Sequence, residues 1–184
     1  MLRSEDGTVT VEMVIMLPFF IWAIASSLVF FDSFRANAVN TRTSYTIGDA
    51  LSRETAFISP RYMDSLAALQ GFLLATDEDR TLRVTVVRYQ SNRDRHRVVW
   101  SEVRGDGAVG PMTDGEALGY HDRIPVTNGG GRMIVVESWV DHTPAFEVGV
   151  GAVDLYDIAV TRPRFAGQLC WNDSEDGDVD TMLC

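Results

Sequence analysis

Three groups of side chains in this 184-residue chain could do chemistry, and their spacing limits what that chemistry is. Glu12 is the only ionisable side chain between Val9 and Phe31, and it stands five residues after Gly7. A carboxylate near the start of so apolar a run is costly unless it finds a cation or a donor, so its natural role is ion pairing. Cys170 and the last residue, Cys184, are the only cysteines. An even count behind a membrane anchor favours a disulfide in an oxidising space, with two free thiols as the alternative. His96, His121 and His142 complete the set, and none has a second histidine at metal-ligand spacing.

The remaining signals for catalysis or ligand binding are weaker still. No Gly-x-Ser-x-Gly elbow is present, and Asn128-Gly-Gly-Gly131 lacks the lysine and following Ser/Thr of a phosphate loop. Residues 172–180 partly imitate a calcium loop, with Asn172, Ser174, Asp176 and Gly177 at positions one, three, five and six. Leu183 stands where the twelfth-position glutamate is required, which favours a solvated loop closed by Cys170 and Cys184. The Arg93-Asp-Arg-His-Arg97 cluster reads as a solvated hairpin tip. No cofactor, metal or enzyme activity is expected from these residues.

The element that must position Glu12 is the run itself. As a helix rising about 1.5 Å per residue, residues 9–31 span roughly 35 Å, enough for a hydrocarbon core. Pro18 cannot donate to the carbonyl of Val14, so a bend is expected there. Ala23, Ala25, Ser26 and Ser27 offer small surfaces for helix packing. After Phe31 the composition turns polar without a proline to stop the helix, so it should continue to about residue 58, ahead of Ser59-Pro60. Phe34, Ala38, Val39, Tyr45, Ile47 and Leu51 recur at helical spacing as an apolar stripe, while Arg35, Arg42, Asp49 and Arg53 can face water.

Beyond residue 59 the pattern is that of one small α+β domain. A second helix is expected over residues 64–75, with Leu66, Leu69 and Leu73 inward. Strands follow at 82–90, 98–103, 133–140 and 154–161, the first two joined as a hairpin. The 105–123 connection holds five glycines and Pro111, which points to a functional or mobile surface segment. The apolar 145–152 connection is expected to be a buried loop, with contact to the membrane or a partner as the alternative.

Gly7-Thr8-Val9-Thr10-Val11-Glu12 ahead of an apolar helix resembles the processing site of type IV pilins and pseudopilins. Together with Val11-Glu12 and Leu17-Pro18 it is similar to the start of TadE/TadG-like proteins, minor pseudopilins of tight-adherence (Flp) pilus assembly. The resemblance covers about residues 5–55 and implies a prepilin peptidase that cuts between Gly7 and Thr8, making Glu12 the fifth mature residue. It departs from many type IV pilins in having Thr8 where they carry Phe. It also implies a pilin-like layout: a leader at 1–7, a transmembrane helix at 8–34, its extension at 35–58 and a periplasmic domain at 59–184. The implied partners are the prepilin peptidase, other pilins or pseudopilins with the Tad assembly machinery, and membrane lipid.

Two rival readings of the N-terminus fit less well. Ala36-Asn37-Ala38 could end a cleaved signal peptide, but the apolar run is too long and carries Glu12. An unprocessed single-pass anchor with a periplasmic binding or sensor domain explains the length and leaves Gly7 and Glu12 as coincidence. Net charge is −10, which argues against nucleic acid and against spontaneous binding to anionic surfaces; that every one of the 16 basic residues is arginine carries no mechanism. Arg3 on one side of the run and Arg35 and Arg42 on the other do not orient it by the positive-inside rule. The cysteines and the leader-like segment favour a bacterial inner-membrane protein with its C-terminal domain in the periplasm.

Overall fold

In a computed structural model the chain is described at residues 6–127, 129–146, 148–149, 151–174 and 177–184. Leader residues 1–5, Asn128 of the glycine-rich turn and Asp176 of the calcium-like run lie outside the described residues. The elements are α1 (Asp6–Arg53), α2 (Pro60–Leu74), β1 (Arg80–Gln90), β2 (Arg95–Gly105), α3 (Asp114–Leu118), β3 (Arg132–His142) and β4 (Val153–Thr161). The four strands form one antiparallel sheet in the order β2-β1-β3-β4, an α+β layout with a long apolar helix in front.

α1 is 48 residues long, about 72 Å at helical rise, and contains Pro18 within it. It ends at Arg53, five residues before the expected stop. The reason lies in the tail: Ile58 N–H donates to the Cys170 carbonyl at 2.8 Å and Asn172 N–H to the Ile58 carbonyl at 2.9 Å, which draws residues 54–58 into extended chain. Arg164 N–H, at 2.8 Å, satisfies the Ser52 carbonyl at the helix end. α2 begins four residues earlier than expected, because Pro60 occupies its first turn and the Ser59 hydroxyl accepts from Tyr62 N–H at 3.3 Å.

The face that α1 turns to the sheet differs from the expected stripe. Ile47 and Leu51 are buried, but so are Asn40, Thr43, Ser44 and Ser52, whereas Phe34 is 72% exposed and Tyr45 59%. Small and polar residues let helix and sheet approach closely: a Cβ on Gly48 would already meet Thr161 and Val136 at van der Waals distance. Their polar atoms are satisfied across the contact. Ser138 Oγ donates to Asn40 Oδ1 at 2.6 Å, Gln70 Nε2 to Ser138 Oγ at 2.8 Å, and Thr41 Oγ1 to Asp157 Oδ1 at 3.0 Å. The main core between α1, α2 and the sheet adds Leu82, Val84, Val86, Trp100, Ile134, Val136, Leu169 and Trp171.

The sheet is covered on its second face as well, which corrects the reading of the 105–123 connection as an open surface. Met112, Ala117 and Ile124 are buried, and Ile124 joins Val87, Met133 and Val135 in a second core. The segment carries α3, capped by the Thr113 hydroxyl accepting from Glu116 N–H at 3.2 Å. Gly105 starts it at φ +127°, where an added Cβ would lie 2.0 Å from the Arg80 carbonyl oxygen, so only glycine fits. The β3–β4 loop is a correction in the opposite sense: Ala145, Gly149, Gly151 and Ala152 are exposed, and Phe146 is 57% exposed, instead of being buried.

Candidate functional site

Gly7 and Thr8 lie in the first turn of α1, and Glu12 follows Thr8 by four residues, about 6 Å along the axis. From Val9 to Ile24 the helix stands clear of the other described residues. All its large apolar side chains from Val9 to Phe31 are more than half exposed except Val29, which is 2% exposed. The exposed set includes Phe19, Phe20, Trp22, Phe30 and Phe31, far more contiguous apolar surface than a soluble monomer tolerates. Val9, Glu12, Met13, Met16, Leu17 and Phe20 line one side of it, so Glu12 sits within an otherwise apolar patch. The helix is long and apolar enough to span a membrane.

Strand β3 runs back along α1 toward that apolar half. Ser138 meets Asn40, and four residues on, His142 Nε2 lies 3.4 Å from Asp32 Oδ2. A cavity of about 370 Å³ opens at this junction, lined in part by Asp32, Arg35, Glu78, His142 and Thr143.

Sequence reasoning missed the most heavily bonded group in the molecule, which holds the 105–123 segment to the second face of the sheet. Arg83 on β1 and Glu137 on β3 are paired in register and both side chains are essentially fully buried. Arg83 Nε donates to Glu137 Oε2 at 2.6 Å, and its Nη1 donates to Glu116 Oε1 at 2.8 Å and to the Gly110 carbonyl at 3.1 Å. Tyr120 and Tyr156 both donate to Glu137 Oε1, at 2.8 and 2.9 Å. The Arg83 guanidinium carbon lies 5.1 Å from the Trp139 ring centre. Burial alone would lower the Arg83 pKa, but the bonds and charges of Glu137 and Glu116 outweigh it and hold it above the ordinary value. Burial first, then the Tyr120 hydroxyl and Glu137, push the Tyr156 phenol well up. Arg83 and Tyr156 are therefore each held in one protonation state near neutrality, which suits a clamp. A charge inside each of two apolar strands was the one signal available.

The other candidate residues fall in separate places. Cys170 and Cys184 come together with their sulfurs 2.12 Å apart, and reciprocal backbone bonds of 2.9 Å between Trp171 and Leu183 close the tail. Asn172 is fully buried, and its Oδ1 accepts from Ser174 N–H and Oγ at 3.0 and 2.9 Å, so the first position of the calcium-like run faces inward. Among the described residues no group of three His, Cys, Asp or Glu is placed to hold a metal. His96 is on β2 and not in the hairpin turn: it is 1% exposed, with its ring 5.3 Å from Tyr89 and 5.7 Å from His121. Burial pushes its pKa below the ordinary value, with Pro125 and Asp94 opposing and His121 reinforcing the shift. No family model, curated protein or solved structure matches the chain.

Proposed function

We propose that this chain is a minor pseudopilin-like membrane protein that supports tight-adherence pilus biogenesis. Its apolar helix sits in a bacterial inner membrane, its sheet domain lies in the periplasm, and a prepilin peptidase cuts after Gly7. The observation that carries this reading is the bare apolar half of α1, with Glu12 as its only ionisable side chain, continuing without a break into the half on which the domain is built. A free-standing amphipathic carboxylate one turn from a newly made α-amine has an evident partner: that amine, on the same or a neighbouring subunit. The rival reading as an unprocessed anchored sensor relied on the 105–123 segment as a ligand-binding loop. Its Glu116 and Tyr120 are already spent on Arg83 and Glu137, which weakens that reading. Co-expression with a prepilin peptidase, followed by N-terminal sequencing, tests the proposal. The product should begin at Thr8; an intact Met1 beside an active peptidase, or a start at Val39, overturns it.

A further inference from the structure

The register of β3 against α1 fixes how far the domain reaches down the apolar half. From Ser138 to His142 the strand advances about 13 Å. Over the same interval its helix neighbours go from Asn40 back to Asp32, about 12 Å, so strand and helix run antiparallel and side by side. Val153 pairs with His142 at the start of β4, so the β3–β4 connection leaves and rejoins the sheet at the level of Asp32. Asp32 is the first charged residue after the apolar run, and Val29, about 4.5 Å further down the helix, is shielded to 2% exposure. The domain therefore extends past the end of the polar half of α1, and its leading element there is the β3–β4 loop.

That loop is made to meet something apolar. It reads Thr-Pro-Ala-Phe-Glu-Val-Gly-Val-Gly-Ala over residues 143–152, with a single ionisable side chain, Glu147, which lies outside the described residues. Phe146 is 57% exposed, Val153 is 36% exposed, and Ala145 and Ala152 are exposed beside them. The base of the loop is pinned: Thr143 N–H donates to both Glu78 carboxylate oxygens, at 3.0 and 3.2 Å. We infer that the β3–β4 loop dips its Phe146 tip into the surface of the same bilayer that α1 enters, with lipid as its partner. This rests on the reading of residues 9–31 as membrane-spanning. Since α1 supplies the anchor, the loop's task is to fix the tilt and rotation of the domain over the membrane. The driving contact is apolar: Asp77, Glu78 and Asp79 lie in the turn before β1, and Asp141 and Asp154 flank the loop, so anionic headgroups are not attracted here.

The full chain, with its Cys170–Cys184 bridge intact, can carry one added cysteine labelled with an environment-sensitive NBD fluorophore in phosphatidylcholine vesicles. Phe146→Cys reports on the loop, and Val14→Cys on the helix. Phe165→Cys is the control: it is 71% exposed and follows Arg164, which bonds Ser52 about 30 Å up the helix from Asp32. NBD at 146 should emit to the blue of NBD at 165 and lose about half its intensity to a doxyl lipid labelled just below the headgroup, as for a side chain about 5–10 Å into the boundary. If 14 is quenched but 146 behaves like 165, the loop proposal fails and the membrane reading stands. A blue-shifted but unquenched 146 means that protein covers the loop, which also overturns it. If 14 itself reports water, the membrane reading fails and takes this proposal with it.

Discussion

Replacing Glu137 by glutamine tests the strongest energetic statement the fold makes. The substitution keeps size and leaves an amide oxygen for Tyr120 and Tyr156, but it removes the charge that compensates Arg83, whose side chain is 2% exposed. Arg83 would be left with Glu116, itself 41% exposed and able to offer only a partly screened charge. Breaking a buried pair by removing one partner costs about 3–5 kcal/mol, and the residual Glu116 contact argues for the lower half of that range. Glu116→Gln, by contrast, loses a half-exposed contact and should cost about 0–1 kcal/mol. Against a typical total of about 5–15 kcal/mol, the first change is severe and the second slight. Urea unfolding of the full chain in detergent micelles, followed by near-ultraviolet circular dichroism, measures both, since Trp139 lies against the network. In native buffer, trypsin should also cut faster at Arg123 in Glu137→Gln, because Tyr120 and Glu116 hold that segment down. Equal destabilisation by the two substitutions, or a loss under about 1 kcal/mol for Glu137→Gln, would refute the idea that a buried charge pair clamps the segment.

Two further outcomes are open to direct measurement. Glu12→Gln keeps size and hydrogen bonding while removing charge, so in a piliating host it should leave cleavage and membrane insertion intact but reduce co-purification with other pilins; normal surface pili would rule out an assembly role for the charge. Burial pushes the His96 pKa below its ordinary value of about 6.5, so as the pH falls through that value the unfolded chain takes up a proton more readily than the folded one, and stability should fall with it. His96→Gln should flatten that slope in urea titrations, and an unchanged slope would assign the acid sensitivity to other groups.

The parts of the fold legible in the sequence are those governed by local pattern. Runs rich in β-branched and aromatic residues in 82–90, 133–140 and 154–161 located three strands to within two residues at each end, because such side chains favour extended, packed chain. β2 was read too short because Arg95-His96-Arg97 looks like a charged turn, and only pairing with Tyr89 and Arg88 makes it strand. The apolar stripe on α1 failed for a related reason. Phe34 and Tyr45 satisfy the helical period as well as Ile47 and Leu51 do, but the sheet selects the side on which Asn40, Ser44 and Gly48 allow close approach. The Arg83 network was out of reach because its bonds join residues 17 to 54 positions apart, and each polar member alone passes for a solvent-facing group. Of the N-terminal candidates the structure shows where Gly7, Thr8, Glu12 and Pro18 lie on α1, and their chemistry is a matter for the peptidase and the neighbouring subunit.

The choice of a polar contact over an apolar one between α1 and the sheet has a consequence for the helix as a whole. An apolar stripe against an apolar sheet face can rotate or slide by a few degrees with little penalty, since dispersion and burial are non-directional. The chain Gln70 to Ser138 to Asn40, with Thr41 to Asp157 beside it, is directional and buried, and each bond lost there leaves a polar group without water. It therefore fixes the rotation of α1 about its own axis as well as its position. Because α1 is one continuous helix, that setting is carried into the apolar half: Ser26, Val29 and Ser33 are turned toward the domain, while Phe31 and Phe34 are turned away from it. The outward aromatic stripe of Phe31, Phe34 and Tyr45 is thus presented at a defined angle to the sheet. For a subunit proposed to act by assembly, a fixed relation between membrane helix and domain makes the geometry of every copy the same before any neighbour is met.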